Sequence, residues 1–351
     1  MRAGTVPLSA RAESRPPRCP VCGARGGRVE GDLHRCDHCG LGRHASADGA
    51  ARATRALRAL LVPGPVDVGA LAGTSPAGAP LAMDAYTLRT AAAGLGLGFE
   101  PADAAQREAL ARPHSTLPGR GRLAPFAPAA PRVALGTIVS ADGAAAALAR
   151  AHRLGAAFAS AVVAIDADPD DGAIAGTILE AERADPVAGA PATTRGAAPI
   201  VIRHPLGGDF AAQRNRIQAA SPAPWVLQLD ADEDPDPVLL ERMHALAAQA
   251  DAHGLVSIGL PRRNLVDGAP ADLWPDVQYR LNRREVRYAG RVHERPDLGG
   301  EWRLSMIAPG ATLAHRLERA RVLERSRRYE AMQGGAGRPG DEAALLRPFS
   351  P

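Results

Sequence analysis

The feature that most constrains this chain is an apolar strand that ends in acid. Trp225–Leu229 reads Trp-Val-Leu-Gln-Leu, the pattern of a central strand covered on both faces. The following positions carry Asp230, Asp232, Glu233, Asp234 and Asp236. Five like charges repel, and strand stability supplies no reason to gather them. A hard divalent cation does, because Mg²⁺ or Mn²⁺ takes carboxylate oxygens and bridges to phosphates. Ligands of open α/β sheets sit beyond the carboxyl ends of the strands, which is where Asp230 and Asp232 fall. The other reading is a solvated acidic loop capping the next helix. Asp236 before Pro237 has the form of an N-cap with proline at the first helical position. That reading covers Asp236 and Asp234, and leaves Asp230 and Asp232 as the metal candidates.

The flanking sequence alternates strand and helix from Arg132 onward. Apolar, β-rich runs at 133–140, 160–166, 200–203 and 225–229 are separated by helical patterns, and Val238–Ala250 places Leu239, Met243 and Leu246 on one face. Such alternation predicts an α/β fold with a mostly parallel sheet flanked by helices. The Arg-rich segment 276–295 reads as a hairpin-like excursion, and 313–332 as a last helix. Residues 45–131 are rich in Ala, Pro and Gly with weak periodicity, and read as a poorly defined region whose end, 112–131, is a linker. Residues 336–351 read as a flexible tail.

All four cysteines lie within 39 residues of the N-terminus, as Cys19-Pro-Val-Cys22 and Cys36-Asp-His-Cys39. Two such pairs have the spacing of a zinc ribbon over residues 1–44, four thiolates closing a structural tetrahedron. Gly23 and Gly40 come directly after the pairs and permit tight turns. Two disulfides are the competing reading. His34, His38 and His44 are read as bystanders. The ribbon is expected to be separable from the rest of the chain.

Every basic residue is arginine. The arginines thicken at Arg280, Arg283, Arg284, Arg287 and Arg291 and again from Arg316 to Arg328, which suits a phosphate-bearing ligand or an anionic acceptor. Aromatics are 3% of the 351 residues, too few for base-stacking platforms, so nucleic acid is an unfavoured partner. No apolar run approaches membrane-spanning length, and a soluble, cytoplasmic protein is expected.

Three segments in order carry a resemblance: Asp-Ala-Asp-Pro-Asp-Asp-Gly at 166–172, Asp-Phe-Ala-Ala-Gln-Arg-Asn at 209–215 with the acid-ended strand after it, and residues 275–294 ending in His-Glu. Residues 132–335 resemble a family-2-type glycosyltransferase of the GT-A fold, close to the bacterial group of lipopolysaccharide-core and peptide glycosyltransferases. The resemblance implies a nucleotide-sugar donor, a glycan, lipid or peptide acceptor, and transfer with inversion. It implies that Asp230 and Asp232 hold Mg²⁺ or Mn²⁺ with His315 as a further ligand. Asp166, Arg214, Asn215 and Arg280 would bind substrate, and Glu294 would be the catalytic base; a structural ion pair with its neighbours Arg291 and Arg295 is the other reading of Glu294. The reading from a different class is a zinc-ribbon scaffold for nucleic acid or protein, with a non-catalytic GT-A-like domain.

Overall fold

The computed structural model of the chain describes residues 16–70, 80–111, 116–183, 198–291, 293–332, 334 and 338–350. Residues 184–197, and parts of the expected ribbon, linker and tail, lie outside the described residues.

The first unit runs β1 (Gly27–Glu30), β2 (Leu33–Cys36), β3 (Gly42–His44), α1 (Gly49–Leu60), β4 (Gly64–Asp67), β5 (Leu81–Ala82), α2 (Ala85–Gly94), β6 (Leu97–Pro101), α3 (Ala104–Leu110) and β7 (Arg120–Pro125). Helices and strands therefore run through most of the described part of 45–131, and β7 falls within the stretch 112–131 read as a linker. Two small antiparallel sheets form, β1-β2-β3-β5 and β4-β7-β6. The helices start where short acids cap them: Asp84 accepts from the Thr87 amide at 2.8 Å and Asp103 from that of Gln106 at 2.9 Å. The four cysteines share one apolar cluster with Leu57, Leu88, Phe99 and Leu123. The cysteine segment is thus the end of a larger core.

The second unit runs β8 (Val133–Ser140), α4 (Ala144–Leu154), β9 (Ser160–Asp166), α5 (Gly172–Arg183), β10 (Ile200–Arg203), α6 (Phe210–Ala220), β11 (Trp225–Leu229), β12 (Glu233–Pro235) and α7 (Pro237–Ala252). It continues with β13 (Ser257–Val266), β14 (Ala269–Pro270), β15 (Val277–Arg283), β16 (Arg287–Ala289), β17 (Arg295–Asp297), β18 (Ser305–Ile307), β19 (Leu313–Leu317), α8 (Arg319–Met332) and α9 (Pro339–Leu345). The large sheet has the order β10-β9-β8-β11-β15-β13-β19-β12. It is parallel from β10 to β11, and again where β13 pairs β18 and β19. Antiparallel pairing of β11 with β15, of β15 with β13 and of β12 with β19 makes the sheet mixed, beside the expected parallel strands.

Both faces of the parallel strands are buried, as their apolar runs require. Val133, Leu135, Val163, Ile165, Trp225 and Leu227 face the core with α4 and α7, while Ala134, Val162, Ala164 and Val226 face Ile217 of α6. Gly136 lets α6 approach, since a Cβ there would lie 2.5 Å from Ile217 Cγ2. Because β8 to β10 run outward on one side and β11 lies on the other, the strand order reverses between β8 and β11. A crevice opens at such a reversal, beyond the carboxyl ends of those strands.

Two further expectations are corrected. Residues 313–317 form a strand, because Leu313, His315 and Leu317 alternate with outward-facing neighbours, a period of two rather than 3.6. The expected tail contains α9, whose Leu345 is buried with Leu317 and Val322.

The ribbon also packs on the second unit. Arg18 reaches Asp272 at 2.7 Å and the Trp274 carbonyl at 3.1 Å, and Arg25 reaches the Ser350 carbonyl at 2.6 Å. A Cβ on Gly23, whose φ is +79°, would lie 2.3 Å from Trp274 Nε1. Deleting residues 1–44 is accordingly expected to yield an insoluble or strongly destabilised chain, the reverse of a separable ribbon. A truncated chain that is soluble and melts at the temperature of the full chain would refute this packing.

Candidate active site

Asp230 directly follows β11 at the reversal point, and the arginines around it dominate its environment. Arg214 of α6 lies with Nη2 2.7 Å from Asp230 Oδ1 and Nε 2.6 Å from Glu294 Oε1. Arg280 of β15 binds the other Asp230 oxygen, comes to 3.3 Å from Glu233, and lies 3.5 Å from Glu294. Arg262 of β13 then joins Glu233 at 2.9 Å to Asp276 at 2.8 Å. Acid and base alternate without a break from Asp276 to Glu294. Arg214 is 1% exposed and Glu233 0%, so each charge depends on its neighbours for the solvation it has lost. Burial pushes the Asp230 carboxyl up, but Arg214 and Arg280 together hold it well below the usual carboxylate range. Arg150 of α4 fixes the turn by donating to the backbone carbonyls of Asp230 and Glu233.

The acidic run thus divides by role. Asp236 caps α7, accepting from the Leu239 amide at 2.6 Å, as its position before Pro237 predicts. Asp234 lies at the surface beside Arg316. Glu233 points inward as the hub of the arginines. Asp232 faces His315, with Oδ2 3.3 Å from Nε2.

His315 is 1% exposed, and its hydrogen bonds define its donor roles. Asn264 Nδ2 donates to the Leu273 carbonyl and to Asp276, which leaves Asn264 Oδ1 as an acceptor for His315 Nδ1 at 2.6 Å. With a single ring proton, on Nδ1, the Nε2 lone pair would face the Asp232 carboxylate. Two acceptors facing each other require a proton or a cation between them. One imidazole nitrogen and one carboxylate oxygen form a donor set that suits Mn²⁺. Asp230 does not join this pair, since both its oxygens are committed to guanidinium groups. Among the described residues, the four cysteines are the one set of three or more His, Cys, Asp or Glu side chains gathered within 4.8 Å.

The other expected site residues divide similarly. Asn215 is structural, its amide bridging both backbone groups of Tyr288, at 3.0 and 2.7 Å. Asp166 ends β9, two strands from β11, and accepts from the Leu206 amide at 2.7 Å. Arg280 serves the acidic network and also lines the narrower of the cleft's two lobes. The ion-pair partners of Glu294 are Arg214 and Arg280, not Arg291 and Arg295. Glu233, Arg262 and Asp276 are not evident as site residues from sequence, although an arginine inside the buried strand β13 is a legible anomaly.

The crevice is a cleft of about 720 Å³ lined by Ile138, Arg214, Asp230, Asp232 and Glu294, with Arg321, Arg325 and Arg328 of α8 above it. That volume is the size of a small-molecule site. A narrower lobe of about 130 Å³ continues past Glu294 toward Arg262, Arg338 and α9. Asp230, His293, Glu294, Arg325 and Tyr329 line both lobes. His293 takes φ +54°, a left-handed conformation that costs about 1–3 kcal/mol in a non-glycine residue and recurs at functional sites.

The cysteine cluster has the shape of a metal centre. Cys19 and Cys39 Sγ are 3.6 Å apart, as are Cys22 and Cys36, too long for a disulfide, and all four are free and buried. Zinc–sulfur bonds of about 2.3 Å imply a tetrahedral edge of about 3.8 Å, so the residues fit zinc. Gly23 and Gly40 take φ +79° and +82°, the turns expected after each pair. Among the described residues, no helix is long and apolar enough to cross a membrane.

No family model and no curated protein matches the chain. Among solved structures it is similar to S. aureus TarS 1–349, with 13% identity and a TM-score of 0.33 over 60% of this chain and 69% of that one. It is also similar to TarS 1–349 in complex with UDP-GlcNAc, with 14% identity and a TM-score of 0.34 over 52% of this chain and 58% of that one. Likeness at these TM-scores carries no argument about the site.

Proposed function

We propose that this chain is a glycosyltransferase that transfers a sugar from a nucleotide-sugar donor to an acceptor nucleophile, with inversion. The observation that carries the reading is the two-lobed cleft at the strand-order reversal, with Asp232 lining the larger lobe and Asp230 and Glu294 at the junction of the lobes. The donor lies in the larger lobe, its diphosphate toward Asp232 and the arginines of α8. The acceptor enters the narrower lobe. Glu294 takes the proton from the acceptor hydroxyl or thiol as that atom bonds to the anomeric carbon. The sugar–phosphate bond breaks on the opposite face, and its electron pair leaves with the nucleoside diphosphate. Arg321, Arg325 and Arg328 offset the charge that develops there. Asp232 and His315 would hold Mn²⁺, whose charge adds to that offset when it is bound. Arg214 and Arg280 orient Glu294 and Asp230.

The test is release of nucleoside diphosphate from a panel of nucleotide sugars with and without Mn²⁺. Asp232→Asn is expected to abolish the Mn²⁺-dependent part with little change in melting temperature, because Asp232 is 36% exposed. Asp230→Asn should also destabilise the fold, by about 1–3 kcal/mol after allowance for its partial exposure. Relief of acidic repulsion does not apply, since arginines separate the acids. Because the folded value of Asp230 is depressed, its contribution is present above about pH 4, the unfolded carboxylate value, and is lost as the pH falls below it. Nucleotide-sugar turnover that is absent throughout the panel, or that is indifferent to Asp232→Asn, would remove this reading.

A further inference from the structure

A second cavity lies where α2 and α3 of the first unit meet the end of α7. Its floor is Arg89, which is 0% exposed. None of its three guanidinium nitrogens has a hydrogen-bond partner among the described residues. The Tyr86 ring lies 5.2 Å away, which gives the cation a π-face but leaves its in-plane donors unused. An unpaired buried charge is among the least favourable arrangements a fold can hold. The surroundings add positive charge, because Arg107, His253 and Arg303 also line the cavity and, among the described residues, no carboxylate does. Arg303 is paired with Glu301 outside the lining. Burial, and after it the charges of Arg89 and Arg107, pushes His253 down to about 4. Burial lowers Arg89 to about 10, with Tyr86 and Asp84 acting the other way.

We infer that this cavity is a binding site for a tetrahedral oxyanion, phosphate or sulfate, held by the in-plane donors of Arg89. The guanidinium fork matches two oxygens of such an ion, and Arg107 and Arg303 at the rim attract it. The volume is about 170 Å³, on the order of five to six waters at ~30 Å³ each. That admits one small ion and excludes a nucleotide. The lining shares no residue with the cleft of Asp230 and Glu294, so this is not part of the donor site. An ion here ties α2 to the end of α7, and its occupancy adjusts the stability of the seam between the two units.

The experiment is thermal unfolding of the full chain in phosphate, sulfate, acetate and chloride at matched ionic strength, with calorimetry for the phosphate affinity. Phosphate and sulfate are expected to raise the melting temperature above chloride, and acetate to raise it less. Arg89→Met, apolar and of similar length, should weaken phosphate binding about tenfold or more, the loss of a charge-assisted bond. Without phosphate this variant should melt at or above the temperature of the native chain, because it removes an unpaired buried charge. Should Arg89→Met fail to fold, Arg107→Ala on the exposed rim should weaken phosphate several-fold while leaving the phosphate-free melt unchanged. The inference is overturned by phosphate and sulfate acting no differently from chloride. It is equally overturned by acetate matching them, or by an unchanged phosphate response in Arg89→Met or, in its place, Arg107→Ala.

Discussion

Glu294→Gln should lower turnover of the nucleotide sugar by about two to four orders of magnitude, the usual share of general-base catalysis, while leaving donor and Mn²⁺ affinity nearly unchanged. The reason is local. Glu294 lines both lobes of the cleft, and its Oε1 is held 2.6 Å from Arg214 Nε and 3.5 Å from Arg280 Nη1. Glutamine retains an oxygen acceptor for these guanidiniums but cannot take a proton from the acceptor. Glu294→Ala removes both properties and leaves Arg214 short of a partner, and breaking such a buried pair costs about 3–5 kcal/mol. The two variants therefore separate catalysis from structure: Gln loses turnover with a modest fall in melting temperature, as for Asp230→Asn, whereas Ala loses turnover and melts far lower. A Gln variant with near-native turnover would show that another group accepts the proton. A Gln variant that melts as low as Ala would show that the carboxylate is chiefly structural.

Removing metal from the cysteine cluster should be the most disruptive change available to the first unit. Structural zinc sites contribute about 10–16 kcal/mol, comparable to the entire stability of a domain, about 5–15 kcal/mol. Here the four sulfurs belong to the apolar cluster that includes Leu57, Leu88 and Phe99, and the Cys39 carbonyl accepts from Thr87 of α2 at 2.8 Å. Loss of metal would therefore be felt in α1 and α2 as well as in the knuckles. Purified protein is expected to contain one zinc per chain, and a strong chelator or Cys36→Ser should unfold this unit and expose Trp274. Metal analysis that finds no zinc, or a melt unaffected by chelator, would rule the centre out. Thiol counting that finds two disulfides would do the same.

The legible parts of the chain are those in which local chemistry decides the structure. The parallel strands are visible because burial on both faces leaves unbroken apolar runs. Two CxxC pairs announce a four-cysteine cluster through spacing alone, and Asp236-Pro237 announces a helix start. Asp84 and Asp103 are caps of the same kind, obscured by the surrounding Ala, Pro and Gly. The last strand is hidden because five residues at a period of two are outweighed by the helical pattern directly after them.

The role of each acid, by contrast, depends on partners distant in sequence. Asp230, Asp232, Glu233 and Asp234 are indistinguishable as a run of carboxylates, and only packing tells them apart. Arg262 and Arg280 arrive from β13 and β15 and occupy Asp230 and Glu233, while His315 arrives from β19 and faces Asp232. What the sequence determined by itself is where charge is concentrated, at the end of β11 and on the cysteine knuckles, because local patterning sets strands, caps and turns. Which of those charges stays open to a ligand was decided by tertiary structure alone, because desolvation and ion pairing depend on neighbours that only the folded sheet brings within hydrogen-bond distance.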